Sequence, residues 1–129
     1  MDILIVEDDV FFRETLARMV QGWGHAPTVA ETGRAALEKA AGRDFDLFLL
    51  DVFLPDTTAM DLIPRIQAFR PQARIVTLTG QSTRELELGL RELGIAYYMA
   101  KPVQAPELKS IIDHLCRREG LRNTGSPPT

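Results

Sequence analysis

The sequence has a single cysteine, no excess of basic residues and no long apolar run, and each of these absences excludes a class of protein. Cys116 stands alone, which excludes an internal disulfide framework and a zinc site built from several cysteines. Fifteen basic residues against 18 acidic ones leave a net charge of −3, so nothing in the charge balance favours nucleic acid or an anionic membrane as a partner. No apolar run approaches the roughly 18 residues that a transmembrane helix needs.

The chain also lacks the features of a secretory signal. It begins Met1-Asp2 and enters a short apolar run at once, with no basic segment before the run and no small-residue cleavage site after it. Its 129 residues, 45% of them hydrophobic, suffice for one domain with one core. The sequence therefore predicts a single soluble domain in the cytoplasm.

Short apolar runs are the main indication of the fold. They do not alternate between apolar and polar residues, which is typical of strands that are buried on both faces of a parallel sheet. A weaker fifth candidate contains a proline and small residues, which favours the edge of the sheet. The four runs and the edge candidate cover residues 3–6, 47–50, 75–78, 95–99 and 27–30.

The segments between the runs change to a helical period of 3.6 residues. Five amphipathic helices are predicted, the second capped by Thr32 and the fifth opening at Pro106. Strand and helix alternate five times, so right-handed crossovers predict a doubly wound α/β sheet. Residues 119–129 have a composition that cannot bury a core, and they are predicted to form a disordered tail or the start of a linker.

Reactive side chains recur where the predicted strands end. Ligands bind to a doubly wound sheet beyond the carboxyl ends of its strands, so these residues are expected to converge on one rim. A single acidic residue after a strand is readily explained as the N-cap of the next helix. Capping does not explain reactive residues at the ends of several different strands. The rim residues are Glu7, Asp8, Asp9, Asp51, Thr79 and Lys101.

Four segments of this sequence resemble the signatures of bacterial response-regulator receiver domains. They read Ile-Leu-Ile-Val-Glu-Asp-Asp, Leu-Asp-Val-Phe-Leu-Pro, Thr-Leu-Thr-Gly and Ala-Lys-Pro. The resemblance covers residues 1 to about 118 and implies a flavodoxin-like fold with five parallel strands in the order 2-1-3-4-5 and five helices. It also implies a signalling switch in a two-component phosphorelay and not an enzyme that acts on other substrates.

The resemblance implies a role for each rim residue. Asp51 would be the phosphoacceptor, because a carboxylate is a known nucleophile toward phosphoryl groups. Lys101 and Thr79 would bind phosphoryl oxygens, and a cis bond between Lys101 and Pro102 would aim the ammonium inward. Tyr98 would move together with Thr79 when the domain switches.

The resemblance also implies a Mg²⁺ site. Its ligands would be the carboxylates of Glu7, Asp8 and Asp51 and the backbone carbonyl of Phe53, an all-oxygen set of the kind that Mg²⁺ prefers. The family's acidic pair directly follows the first strand, which selects Glu7 and Asp8. Asp9 is then predicted to be the N-cap of the first helix.

The partners implied are a sensor histidine kinase or phosphotransfer protein and a downstream protein target. The target would contact the face formed by the fourth helix, fifth strand and fifth helix, and homodimerisation on phosphorylation is left open. Two alternatives also remain: a Mg²⁺-dependent phosphohydrolase and an interaction module that is never phosphorylated. A phosphohydrolase needs a second aspartate two residues after the nucleophile, where this chain has Phe53.

One segment departs from the family pattern. A glycine commonly precedes the third helix in receiver domains, whereas the corresponding stretch here is Pro55-Asp56-Thr57-Thr58-Ala59. Thr58 is predicted to cap this helix, and Ala59 favours helix formation.

Overall fold

The computed structural model describes the backbone of residues 1–124 and the side chains of residues 1–117. Five strands and five helices alternate along this part of the chain. The strands are β1 (Asp2–Val6), β2 (Ala26–Ala30), β3 (Leu47–Asp51), β4 (Ile75–Thr79) and β5 (Tyr97–Ala100). The helices are α1 (Val10–Gly22), α2 (Gly33–Gly42), α3 (Ala59–Phe69), α4 (Arg84–Glu92) and α5 (Ala105–Thr124).

All neighbouring strands of the sheet are parallel, in the order β2-β1-β3-β4-β5. The predicted fold class is therefore confirmed, and β2 lies at an edge as its composition predicts. The central strands β3 and β4 are buried throughout their length, which explains why their sequences are continuously apolar.

Side chains of alternate strand residues point to the two faces of the sheet and divide the core into two clusters. One cluster contains Phe48 and Leu50 and packs against residues of α2, α3 and α4. The other contains Leu49 and Val76 and packs against residues of α1 and α5. With both faces covered by helices, the carboxyl edge of the sheet is the place where polar side chains reach solvent.

Most of the predicted helix ends agree with the structure. The Asp9 carboxylate accepts a hydrogen bond from the Phe12 N–H, and Thr32 accepts one from the Ala35 N–H, so two of the three predicted N-caps are confirmed with their capping bonds. Thr58 occupies the N-cap position of α3, but its side chain makes no capping hydrogen bond. Phe69, the last residue of α3, is 48% exposed.

The end of the chain differs in part from expectation. Helix α5 continues to Thr124, into the segment that the sequence predicts as a tail or linker. The rest of that predicted segment, residues 125–129, lies outside the described residues. Among the helices of the described part, none is long and apolar enough to cross a membrane.

Candidate functional site

Strand register brings the predicted rim residues together at the carboxyl edge of the sheet. Asp51 is the last residue of β3 and pairs in register with Leu78 of β4, so Thr79 lies one residue farther along the same edge. Thr79 pairs in turn with Ala100, the residue before Lys101. Residues far apart in sequence therefore meet because each ends a strand of one parallel sheet.

Three carboxylates form the centre of the site. Glu7, Asp8 and Asp51 each offer an oxygen, and these oxygens all lie within 4.8 Å of one another. Glu7 and Asp51 are buried, whereas Asp8 is exposed to solvent. Asp9 is outside this group and caps α1, as the sequence predicts. The cluster thus has a buried inner side and an outer side open to water.

The donor set fits a hard divalent cation. Three carboxylates and the Lys101 ammonium together leave two negative charges when all are ionised, which a divalent ion neutralises. All the offered atoms are oxygens, and the exposed side of Asp8 leaves space for the waters that Mg²⁺ retains.

Lys101 follows β5, the strand at the edge of the sheet, and its side chain reaches the acidic cluster along the same rim. Its Nζ atom donates a hydrogen bond of 2.8 Å to Glu7 Oε1 and lies 3.6 Å from Asp51 Oδ2. The bond between Lys101 and Pro102 is cis, as the family resemblance implies. Nζ also lies 4.6 Å from the centre of the Phe12 ring, a cation–π contact that the sequence analysis did not anticipate.

The ionisation of Asp51 reflects these surroundings. Burial, together with the neighbouring charge of Glu7, raises the pKa of Asp51 to about 6, although the Lys101 ammonium acts in the opposite direction. For Lys101, burial lowers the pKa, but the hydrogen bond to Glu7 and the charges of both carboxylates outweigh it, so the pKa lies above its usual value. Lys101 is therefore fully charged at neutral pH.

The two predicted switch residues have distinct partners. The Thr79 side chain is fully buried, and its Oγ1 accepts a hydrogen bond of 3.0 Å from the Gln81 N–H. The Tyr98 hydroxyl donates a bond of 2.7 Å to Ser82 Oγ in the loop that precedes α4. Both side chains thus contact the loop between β4 and α4.

The loop between β3 and α3 is attached to α2 through Asp56. Its carboxylate accepts hydrogen bonds from the backbone N–H groups of Gly33 and Arg34, at 2.9 and 3.0 Å, and these bonds lower the pKa of Asp56. A Cβ atom at Gly33 would lie 2.3 Å from the Thr57 methyl carbon, so a side chain here would force Thr57 to move. Phe53, two residues after Asp51, is 43% exposed and forms an isolated bridge with Thr58.

The sequence did not point to Arg13, a charged residue of α1 whose side chain contacts the backbone of Glu7 and Asp8. It is one of the few buried charged side chains in the described part of the chain, with 8% exposure. Its Nη1 atom donates to the carbonyl oxygens of Glu7 and Asp8. The available signal was a basic residue one turn into the helix that follows the acids.

Comparison with known proteins agrees with this geometry. Residues 3–113 match the family described as the response regulator receiver domain. The transcriptional regulator NtrC of Azospirillum brasilense is 34% identical over 128 residues, which are 98% of this chain and 25% of that protein. The regulatory protein CreB of Escherichia coli K12 is 34% identical over 125 residues, which are 97% of this chain and 55% of CreB.

Solved structures share the fold. A CheY-like receiver domain protein from Methanospirillum hungatei superposes with a TM-score of 0.85 at 28% identity, covering 92% of this chain and 96% of that one. The non-phosphorylated HemR receiver domain of Leptospira biflexa gives a TM-score of 0.82 at 30% identity, covering 88% of this chain and 92% of that one.

The chain spans between about a quarter and about half of the length of the curated relatives named above. With the sheet order, the rim residues and the matched family all in agreement, this chain belongs to the receiver domains of two-component response regulators.

Proposed function

We propose that this receiver domain accepts a phosphoryl group on Asp51 and thereby switches a downstream protein. The observation that carries the proposal is the position of the Asp51 carboxylate. It ends a fully buried strand, lies within 4.8 Å of two further carboxylates, and has the Lys101 ammonium at 3.6 Å. A rigid nucleophile next to a potential cation site and a fixed positive charge is what phosphoryl transfer requires.

The transfer itself is an exchange of one bond for another. An Asp51 carboxylate oxygen forms a bond to phosphorus while the bond from phosphorus to the donor breaks, and the donor leaves with that electron pair. With a kinase or phosphotransfer protein the broken bond is the P–N bond of a phosphohistidine, and with acetyl phosphate it is a P–O bond. The product is an aspartyl phosphate.

The residues around Asp51 have separate tasks in this proposal. The carboxylates of Glu7, Asp8 and Asp51 and the Phe53 carbonyl would hold Mg²⁺, which neutralises charge on the phosphoryl oxygens when it is bound. Lys101 exchanges part of its contact with Glu7 for a phosphoryl oxygen, since it already lies between the two carboxylates. The Thr79 hydroxyl binds another phosphoryl oxygen, and the hydrogen bond that it accepts from the Gln81 N–H breaks as it moves.

The signal leaves the site through the loop between β4 and α4. Movement of Thr79 toward the phosphoryl group vacates space that Tyr98 fills by leaving Ser82. A downstream protein, or a second copy of this chain, then recognises the changed face of α4, β5 and α5. A location in the cytoplasm, where histidine kinases acquire their phosphoryl group from ATP, belongs to the same proposal.

Intact-mass spectrometry after incubation with acetyl phosphate and Mg²⁺ tests the acceptor. The wild-type chain should gain one phosphoryl group, and Asp51→Asn or chelation of the metal should prevent the gain. Asp44→Asn is the matched control, because Asp44 is 85% exposed and pairs with Arg70 away from the rim. Labelling that persists in Asp51→Asn contradicts the assignment, and a wild-type chain that gains no mass favours an interaction module that is never phosphorylated.

Amide chemical shifts test the output face. Binding of beryllofluoride, a phosphoryl mimic, should shift residues 83–99 as well as the pocket around Asp51. Shifts confined to the pocket contradict transmission to that face. Sedimentation of the protein with and without beryllofluoride reports whether the switched form self-associates.

A further inference from the structure

Arg13 is a buried cation whose hydrogen bonds go to the backbone that carries two of the site's acids. Its Nη1 atom donates to the Glu7 carbonyl oxygen at 3.1 Å and lies 3.5 Å from that of Asp8. Its Nη2 atom lies 3.3 Å from Glu31 Oε1, and the Glu31 side chain is 69% exposed. Arg13 therefore joins α1 to the loop after β1 and to the loop after β2.

The acidic pair depends on such support because it lies outside regular structure. Glu7 and Asp8 follow the last residue of β1, and α1 begins only at Val10. The Glu7 N–H is held by the Ala30 carbonyl at 3.0 Å, but both carbonyl oxygens of the pair turn toward the guanidinium. The planar guanidinium offers several N–H groups in a fixed arrangement, so it restricts the orientation of two successive peptide groups at once.

We propose that Arg13 is a positioning residue for the divalent-cation site. By holding the carbonyl groups of Glu7 and Asp8, it directs their side chains toward Asp51 and keeps the carboxylate oxygens close enough together to share one ion. The inference rests on the proposed Mg²⁺ site and adds a residue that does not itself touch the ion. Removing a residue that holds metal ligands in place without touching the ion commonly lowers metal affinity tenfold or more.

The sign of the effect separates positioning from simple electrostatics. Arg13 is a positive charge next to a cation site, so its charge alone opposes Mg²⁺ binding, and removing that charge would strengthen binding. Removing a group that orients the ligands weakens binding instead. The two explanations predict changes in opposite directions.

Isothermal titration of the full chain with MgCl₂ makes this measurement without any phosphoryl donor. Arg13→Met retains much of the apolar stem and loses every N–H donor, and its dissociation constant for Mg²⁺ should rise about tenfold. Arg18→Met removes the same charge from an exposed position on the same helix, and its dissociation constant should stay within twofold of the wild type. Equal or tighter binding by Arg13→Met overturns the inference.

Arg13→Lys decides the matter if the methionine variant does not fold. Lysine keeps the charge but has no planar set of donors, so Mg²⁺ binding should weaken at least threefold, and unchanged binding overturns the inference. The amide shift of Asp8, followed during the titration, reports whether the loss arises at the acidic pair. If the wild-type chain itself binds no Mg²⁺, the proposed function fails at its metal site. That result is distinct from an Arg13 variant that binds Mg²⁺ as tightly as the wild type, which overturns only the inference about Arg13.

Discussion

The Nζ atom of Lys101 donates a 2.8 Å hydrogen bond to Oε1 of Glu7, and these residues lie 94 positions apart in the sequence. Lys101 is farther, at 3.6 Å, from the proposed phosphoacceptor Asp51. Without a bound cation, the ammonium thus offsets the charge of the most deeply buried acid of the cluster.

Replacing Lys101 by methionine should raise the pKa of Asp51 further above about 6, since the ammonium is the charge that lowers it. The ¹³C shift of the Asp51 carboxyl, followed against pH in metal-free buffer, measures the change. Lys109→Met is a suitable control, because Lys109 pairs with Asp113 on α5. A pKa that falls or stays constant in Lys101→Met contradicts the assigned contact.

Asp51→Asn should stabilise the fold at pH 7 in metal-free buffer. Folding raises the pKa of Asp51 from 3.8 to about 6, so the group contributes stability below pH 4 and loses that contribution as pH rises through 6. The neutral amide avoids the cost of the buried charge, and we expect a gain of about 3 kcal/mol in unfolding free energy.

Urea unfolding of both proteins at several pH values provides the measurement. The difference in unfolding free energy between Asp51→Asn and the wild type should be small at pH 4, grow up to about pH 6, and remain constant above it. Asp44→Asn is the control for the general effect of replacing an aspartate by asparagine, because Asp44 is largely exposed and lies away from the rim. An advantage of equal size at pH 4 and pH 7 would indicate an effect of packing and not of charge.

Phe53→Asn should accelerate the loss of phosphate from Asp51 about tenfold, or about 1.4 kcal/mol in the barrier. Phe53 cannot orient an attacking water by hydrogen bonding, and the uncharged Gln81 would do so only weakly. The decay of the phosphorylated mass at saturating Mg²⁺ gives the rate. Phe69→Asn is the control, since that phenylalanine is similarly exposed at the end of α3. Equal rates for wild type and Phe53→Asn would show that only the Phe53 carbonyl matters.

Ser82→Ala should favour the switched form of the domain. The substitution removes the partner of the Tyr98 hydroxyl, and losing one hydrogen bond of this kind is worth about 1 kcal/mol, or roughly fivefold in a two-state equilibrium. Phosphorylation by acetyl phosphate should accelerate by a similar factor. Tyr98→Phe removes the same bond from the other side, so the double variant should match either single one. Additive effects would contradict a shared hydrogen bond.

The sequence alone determined which segments form the sheet and which residues end its strands. Continuous apolar runs such as residues 47–50 favour strands that are buried on both faces of a parallel sheet, and such strands present the residues after them at one edge. Local capping was also predictable for Asp9 and Thr32, because a cap bond spans only three residues. The fold class and the rim residues were therefore accessible from local patterns.

Only the tertiary structure decided which partner each long side chain contacts. Lys101 could have paired with any acid of the rim, and the structure brings it to Glu7. The attachment of Asp56 to α2 and of Arg13 to the acidic pair depends on where helices and loops cross the sheet. Such contacts join segments through their relative positions in space, and the spacing of residue types along the chain contains no comparable signal for them.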